Sequence, residues 1–363
     1  MRRTLLSIGI IILIIGIGFG IWYLLFQNRS EVSPPPPPTN ITSNGTGTTA
    51  PIIGTSPILS FWILKNTESI YAIDTEGKIV SVSKTGGANE TLSSQKITDF
   101  AWLKENISGT YAAIAFGKPG KETISIFGVD DRSFQPLPEG VRSLSWNPTN
   151  PNLLVYFKNI NGSSAFETFD VSTKKITPVL TAALEDIDLS WVSASEIFIS
   201  ETPTAYTAGT IWVLDPSTKL LEKIVDQRTG LASLWSREEN LGLLFFESTN
   251  GYAASLVDRK GVPIQGNIVP RTVKEKCAAK DMLIVCAVPK SLSAGVRLPD
   301  DYLKRKIYTI DDLWIWNEET NKTTTLVAAS SKPFDATKLQ ISNGKVFFID
   351  RYSKGLYALP LGN

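Results

Sequence analysis

Residues 141–157 read VRSLSWNPTNPNLLVYF: an apolar, serine-bearing hexapeptide closed by Trp146, a polar turn of proline and asparagine, then a dense apolar run. The same figure returns along the chain. PILSFW (57–62), ITDFAW (97–102), DIDLSW (186–191) and GLASLW (230–235) end at Trp62, Trp102, Trp191 and Trp235, so the five tryptophans fall 40, 44, 45 and 44 residues apart. A fixed period of about 40–45 residues marks stacked copies of one supersecondary unit, and that length suits a four-stranded propeller blade.

Each period resolves into strands. TYAAIAF (110–116), NLLVYF (152–157), EIFIS (196–200), LGLLFF (241–246), MLIVCAV (282–288) and KVFFI (345–349) are too short for buried helices and rich in β-branched and aromatic residues. They are apolar on both faces, as expected of a second strand sandwiched between neighbouring blades. Third strands end in turns centred on Asp170, Asp215, Asp258 and Asn317, residues whose side chains bond the backbone two positions on. Weaker fourth strands follow, such as ITPVL (176–180) and LEKIV (221–225). A sixth unit falls at TVKEKCAA near residue 278 and a seventh at ATKLQI near 341, the longer step reflecting an insertion at about 289–311. The seventh unit has no room for a fourth strand. APIIGT (50–55) is the candidate to supply it from the amino-terminal side, which would remove an exposed sheet edge. The expected head, residues 57–363, is therefore an all-β, seven-bladed β-propeller, with six and eight blades as alternatives.

Before it lies a different chemistry. Leu5 to Phe26 is 22 residues without a charge, about 33 Å as a helix and enough to cross a ~30 Å hydrocarbon core. Arg2 and Arg3 precede it and place the amino terminus in the cytoplasm. No small-x-small cleavage site follows, so residues 1–26 read as an uncleaved transmembrane anchor rather than a signal peptide. Residues 27–56, with Pro34 to Pro38 and a Thr/Ser/Asn/Gly tract, read as a linker that cannot bury a core. The expectation is a single-pass protein with an extracytoplasmic head, in a bacterial cell envelope.

Composition trims the list of chemistries. Lysine plus arginine total 36 against 35 acids, a net charge of +1, so no global field draws nucleic acid. Histidine is absent, which removes the commonest proton shuttle and nitrogen ligand for metals. No GxSxG, phosphate-gripping glycine loop or HExxH occurs, and no catalytic residue, metal ligand or cofactor is expected. Cys277 and Cys286 face one another across a predicted hairpin of blade six. A disulfide, favoured by export, and two small buried hydrophobes are both open. The recurring tryptophans read as packing between blades in preference to platforms for a ligand.

The insertion PKSLSAGVRLPDDYLKRKIYTIDD (289–312) is the one segment that breaks the repeat. It joins the second and third strands of blade six, on the face that carries the links between blades. LPDDYLKRK predicts a helical turn with Pro299 at its start. Arg297, Asp300, Tyr302 and Arg305 are the candidate partner-binding residues, of types common at interface hot spots; the alternative is a segment that merely caps the ring. Asp300, Asp301, Asp311 and Asp312 lack the spaced pattern of a calcium loop.

The hexapeptide ending in tryptophan, its polar turn and its core strand resemble the WD40-like or TolB-type propeller repeats of bacterial envelope proteins. IVSVSKTGGANETLSS (79–94) fits that family's third strand and Gly-Gly turn. The resemblance spans about residues 57–363 and lacks the Gly-His and Trp-Asp dipeptides of eukaryotic WD40 repeats. It implies a noncatalytic scaffold that binds a protein or cell-wall partner. The alternative is a carbohydrate-active or glycan-binding protein with paired carboxylates in the propeller cleft.

Overall fold

A computed structural model of the protein describes residues 52–53, 56–83, 89–160, 162–249, 251–264, 271–317, 319–320, 322–327 and 333–361. The expected anchor at 5–26 and most of the linker lie outside these residues. Among the described residues no helix is long and apolar enough to cross a membrane.

The chain opens with β1 (Ile52–Ile53) and then lays down antiparallel sheets in sequence. Blade one is β2 (Ile58–Leu64), β3 (Ser69–Asp74), β4 (Ile79–Val82) and β5 (Glu90–Thr91). Blade two is β6 (Phe100–Glu105), β7 (Tyr111–Phe116), β8 (Thr123–Gly128) and β9 (Phe134–Pro136). Blade three is β10 (Val141–Trp146), β11 (Leu153–Ile160), β12 (Ser163–Asp170) and β13 (Lys175–Thr181). Blade four is β14 (Ile187–Ser193), β15 (Glu196–Glu201), β16 (Ala208–Leu214) and β17 (Leu221–Thr229). Blade five shows three strands among the described residues, β18 (Ala232–Trp235), β19 (Gly242–Ser248) and β20 (Gly251–Val257), with a Val257–Pro263 bridge beyond them. Blade six is β21 (Cys277–Lys280), β22 (Leu283–Pro289), β23 (Asp311–Asn317) and β24 (Lys322–Val327). Blade seven is β25 (Ala336–Ser342), β26 (Lys345–Asp350) and β27 (Leu356–Pro360), completed by β1, whose Ile52 and Ile53 pair with Tyr357 and Leu356.

The protein is a seven-bladed β-propeller, and its core shows that the ring closes. Seven apolar clusters fill the seven junctions between blades, the last joining Phe347, Ile349 and Leu356 of blade seven to Ile58, Phe61 and Ile63 of blade one. The doubly apolar second strands are explained by these junctions. Successive side chains of a strand face opposite ways, so Leu154 and Tyr156 of β11 pack toward blade two while Val155 and Phe157 pack toward blade four. No single blade could hide both sets.

The tryptophan beat is not a structural register. Trp146 and Trp235 end β10 and β18, whereas two residues follow Trp62 and Trp191 within their strands and three follow Trp102. Trp62 packs at the junction of blades one and two, while Trp146, Trp191 and Trp235 pack toward the preceding blade. What repeats is a large ring at a junction. One-residue register shifts fall near the starts of β2, β6 and β10.

The third-strand turns are closed by their acids. The Asp215 carboxylate accepts the Ser217 and Thr218 amides at 2.8 and 3.2 Å, and Asp258 accepts those of Lys260 and Val262, each at 2.9 Å. Cys277 and Cys286 are directly opposed in β21 and β22 and joined by a disulfide.

Candidate functional site

The first strand of each blade runs beside the axis with one edge unpaired, and its backbone groups need partners from elsewhere. Serines in the hexapeptides meet part of this need. The Ser143 and Ser145 hydroxyls accept the Leu189 and Trp191 amides at 3.2 and 2.8 Å, stitching β10 to β14. Lys104 of β6 reaches past blade three. Its Nζ donates to the Leu144 carbonyl at 3.0 Å and to the Asp188 carboxylate of β14 at 2.6 Å. Lys274, in the turn before β21, donates to the other oxygen of Asp188, also at 2.6 Å. Blades two, four and six thus meet at one carboxylate. Burial opposes the charged form of Asp188, but the two ammonium groups outweigh it and hold the carboxyl far below its usual range.

On one side of this waist the channel holds a cavity of about 400 Å³ lined by Lys65, Glu105, Arg237 and Lys280 among others. Glu105 accepts Gln340 Nε2 from blade seven at 2.7 Å, and burial pushes its carboxyl up. The tie reaches past blade one, and Glu105 stays half-buried in the cavity lining.

Toward the other face lies a cleft of about 680 Å³ between blades seven, one and two. Its fourth wall is the insertion, residues 290–310 between β22 and β23. The predicted helical turn stands at Asp300–Leu303, with Pro299 before it. The insertion is pinned at several points. Leu298 and Tyr302 are buried in the cluster between blades five and six. The Asp300 carboxylate accepts the Ala205 amide of blade four and Lys304 Nζ, each at 2.6 Å. At its far end Lys276 is 1 % exposed, its Nζ held by Asp311 at 2.5 Å, Asp335 at 2.6 Å and the Ala336 carbonyl at 3.2 Å. Asp335 also accepts the Tyr302 hydroxyl at 3.3 Å, the Thr309 amide at 3.1 Å and Arg351 at 3.2 Å. Burial pushes Tyr302 up to about 12, and burial together with Asp335 pushes Asp311 up to about 6 against the pull of Lys276.

The four residues singled out in the insertion therefore divide. Asp300 and Tyr302 are buried and committed to contacts within the molecule, whereas Arg297 and Arg305 are on the surface. The Arg297 guanidinium lies 5.8 Å from the ring centre of Tyr206, which is 63 % exposed on the neighbouring loop of blade four. Asp300, Asp301 and Asp311 are bound by lysines and backbone amides. Among the described residues no group of three or more acidic, cysteine or histidine side chains is placed to hold a metal. The tryptophans are structural, four of them 5 % exposed or less and Trp102 half-buried.

Sequence reasoning missed both charged centres. Lys276 sits in a run of lysines that reads as surface, and Asp335 and Arg351 lie far from it in the chain. For Asp188 a signal was present: a carboxylate flanked by Ile187 and Leu189 inside a hexapeptide, DIDLSW, whose other acid, Asp186, stands at its start.

No family model matches the chain, and no curated protein matches it. Solved structures do. The tricorn protease aligns at 12 % identity and a TM-score of 0.57, over 88 % of this chain and 35 % of that one, so the chain spans about a third of its length. Oligogalacturonate lyase from Vibrio parahaemolyticus aligns at 9 % identity and 0.56, over 87 % and 93 % of the two chains. The WD40 repeats of RRP9 align at 11 % identity and 0.54, over 86 % and 99 %. TolB from Acinetobacter baumannii aligns at 12 % identity and a lower TM-score of 0.48, over 77 % and 66 %. The three likenesses with TM-scores above 0.5 show a β-propeller, WD40-like in architecture, and the fold alone.

Proposed function

We propose that the chain is a noncatalytic docking module. The apolar span at 5–26 anchors it in the membrane, the linker at 27–56 holds the propeller outside the cytoplasm, and the face bearing the insertion receives a protein or cell-wall partner. A bacterial envelope suits this arrangement. The observation that carries the reading is the buried Lys276–Asp311–Asp335–Arg351 network under the insertion. Buried ion pairs repay their desolvation poorly compared with apolar packing. What such a network does well is hold one geometry, and a loop already ordered loses little entropy on binding. The surface so held presents Tyr206, Arg297 and Leu303, each exposed.

The test is proximity labelling by the full-length protein in its own cell, with the triple variant Tyr206→Glu, Arg297→Glu, Leu303→Glu as comparison. All three residues are exposed, so folding is spared. The expected outcome is loss of specific labelled neighbours in the variant; an unchanged set removes this face from consideration.

One observation favours a second reading, a carbohydrate-active enzyme. Asp188 is held ionised while burial pushes Glu105 and Glu275 up in the same channel, the kind of split that separates base from acid among carboxylates. Release of reducing ends from cell-wall glycan, lost in Glu275→Gln, would establish it.

A further inference from the structure

The cleft at the mouth of the channel is cationic in a specific way. Lys96, Arg305, Lys338 and Lys354 line it and make no ion pair among the described residues, against two carboxylates, Asp99 and Glu275, in the same state. Its other charges are spent. Glu76 pairs with Lys78 at 2.7 Å, and Arg351 with Asp335 at 3.2 Å. Burial also pushes the Glu275 carboxyl up, which favours its neutral form and widens the surplus.

Lys338 is the centre of the arrangement. It sits in the first strand of blade seven where the register of β25 with β26 slips between Thr337 and Gln340. Its φ is 55°, in the left-handed region that an unbranched L-residue enters only at a cost. Bulges of this kind re-aim a side chain, and this one delivers an ammonium group to the wall of the cleft. The residue is exposed to cleft water, and desolvation by the surrounding blades lowers its affinity for a proton. An arriving anion would restore what burial has taken.

The rest of the lining narrows the ligand. Leu59 and Leu303 give it an aliphatic component, whereas Ile58, Ile97 and Ile349, 2 or 3 % exposed, offer almost no surface. The two insertion tyrosines that line it are already engaged. Tyr302 carries Arg351 at 4.2 Å and Lys276 at 4.7 Å, and Tyr308 stacks on Tyr352 at 5.5 Å with Arg351 at 4.6 Å. Sugars and nucleobases are gripped by open aromatic faces, which these rings do not offer; Phe100, the remaining ring of the lining, is half-buried against the junction of blades one and two. Cations beside aliphatic surface suit carboxylate side chains alternating with apolar ones.

We propose that this cleft binds an extended acidic peptide segment of a partner protein, its carboxylates taken by Lys338 and Arg305 and its apolar side chains set against Leu59 and Leu303. The proposal rests on the docking reading given above and names the chemistry of what docks.

Full-length protein in zwitterionic lipid nanodiscs is titrated with a fluorescein-labelled octapeptide alternating glutamate and leucine, followed by anisotropy at low and physiological salt. A lysine–leucine octapeptide is the opposite-charge control, and polyphosphate and hexagalacturonate are the competing anions. The acidic peptide is expected to bind, with Lys338→Gln and Arg305→Gln each weakening it about tenfold, the scale of one charged hydrogen bond. Lys219→Gln, on the opposite face, should leave binding unchanged. Equal affinity in all variants, a preference for the basic peptide, or tighter binding of polyphosphate or hexagalacturonate than of the peptide overturns the proposal. Labelled neighbours that depend on the Tyr206, Arg297 and Leu303 surface, together with no peptide binding, retain docking and reject the acidic ligand. Peptide binding with unchanged neighbours does the reverse.

Discussion

Trp146 is 1 % exposed, its indole Nε1 donates to the Lys104 carbonyl of the preceding blade at 2.8 Å, and its ring stacks on Tyr111 at 6.1 Å. Removing it opens a hole that neighbours on two blades must fill. Trp146→Ala should lower the unfolding free energy by about 3–5 kcal/mol in urea, whereas Trp102→Ala, at a half-buried ring, should cost clearly less. Equal losses would contradict the different settings of the two rings. Lys276 is a sharper case because its loss leaves carboxylates rather than a void. Among the described residues Lys276→Met leaves Asp311 with no ion-pair partner and Asp335 with Arg351 alone, and a loss of about 3–5 kcal/mol is expected by thermal or urea unfolding. A variant as stable as the wild type would show that the network contributes no net stability. Neither effect can be read from residue type alone. A lysine that satisfies two buried acids is spelled like a solvated one, and only the ring brings Lys276, Asp311 and Asp335 together.

Among the elements, the second strands were the most legible, because a short run apolar on both faces has few homes other than between two sheets. The acid-centred turns and the insertion's place between the second and third strands of blade six were legible for similar local reasons. The charged centres were not, since Lys104 meets Asp188 across 84 residues and Gln340 meets Glu105 across 235. The tryptophan spacing pointed to the right fold while overstating the register, since the ring ends its strand in β10 and β18 but is followed by two or three strand residues in β2, β6 and β14. The shortest element has a large task. β1 supplies blade seven's fourth strand through two residue pairs, and without it the edge of β27 is open. Replacing both Ile52 and Ile53 with proline removes the amide that donates to that ladder. The melting temperature should fall by a few degrees, with association that grows with protein concentration, the expected behaviour of a bared edge. An unchanged melt and a monodisperse variant would show that closure does not depend on these two residues. The Cys277–Cys286 link closes a short loop, and Cys286→Ser should cost about 2–3 kcal/mol on the chain-entropy account.

At the scale of the whole ring, apolar junctions join each blade only to its neighbours, and an array of that kind could open at any one of them. The axial ion pairs act across this grain. Lys104 of blade two and Lys274 of blade six share Asp188 of blade four, so separating any of the three blades exposes an unpaired charge. The tie should be visible in how stability depends on pH. Asp188 has a folded pKa far below its unfolded value, so it binds protons less readily in the native state, and its contribution is present above about pH 4 and lost as pH falls. About a third of each side chain still meets channel water, which screens the pairs, so Asp188→Asn should cost only about 1–2 kcal/mol at pH 7. Between pH 5 and pH 3 the wild type should lose its advantage steadily while the variant, with nothing to titrate there, loses less. The gap therefore narrows in acid. High salt at pH 7 should narrow it too, since these charges are partly screened already. Urea unfolding of both proteins at pH 3, 5 and 7, followed by tryptophan fluorescence, makes the comparison. A gap that stays constant or widens in acid would mean that Asp188 contributes by packing rather than charge, and the blades would then be held by their apolar junctions and the remaining hydrogen bonds between them.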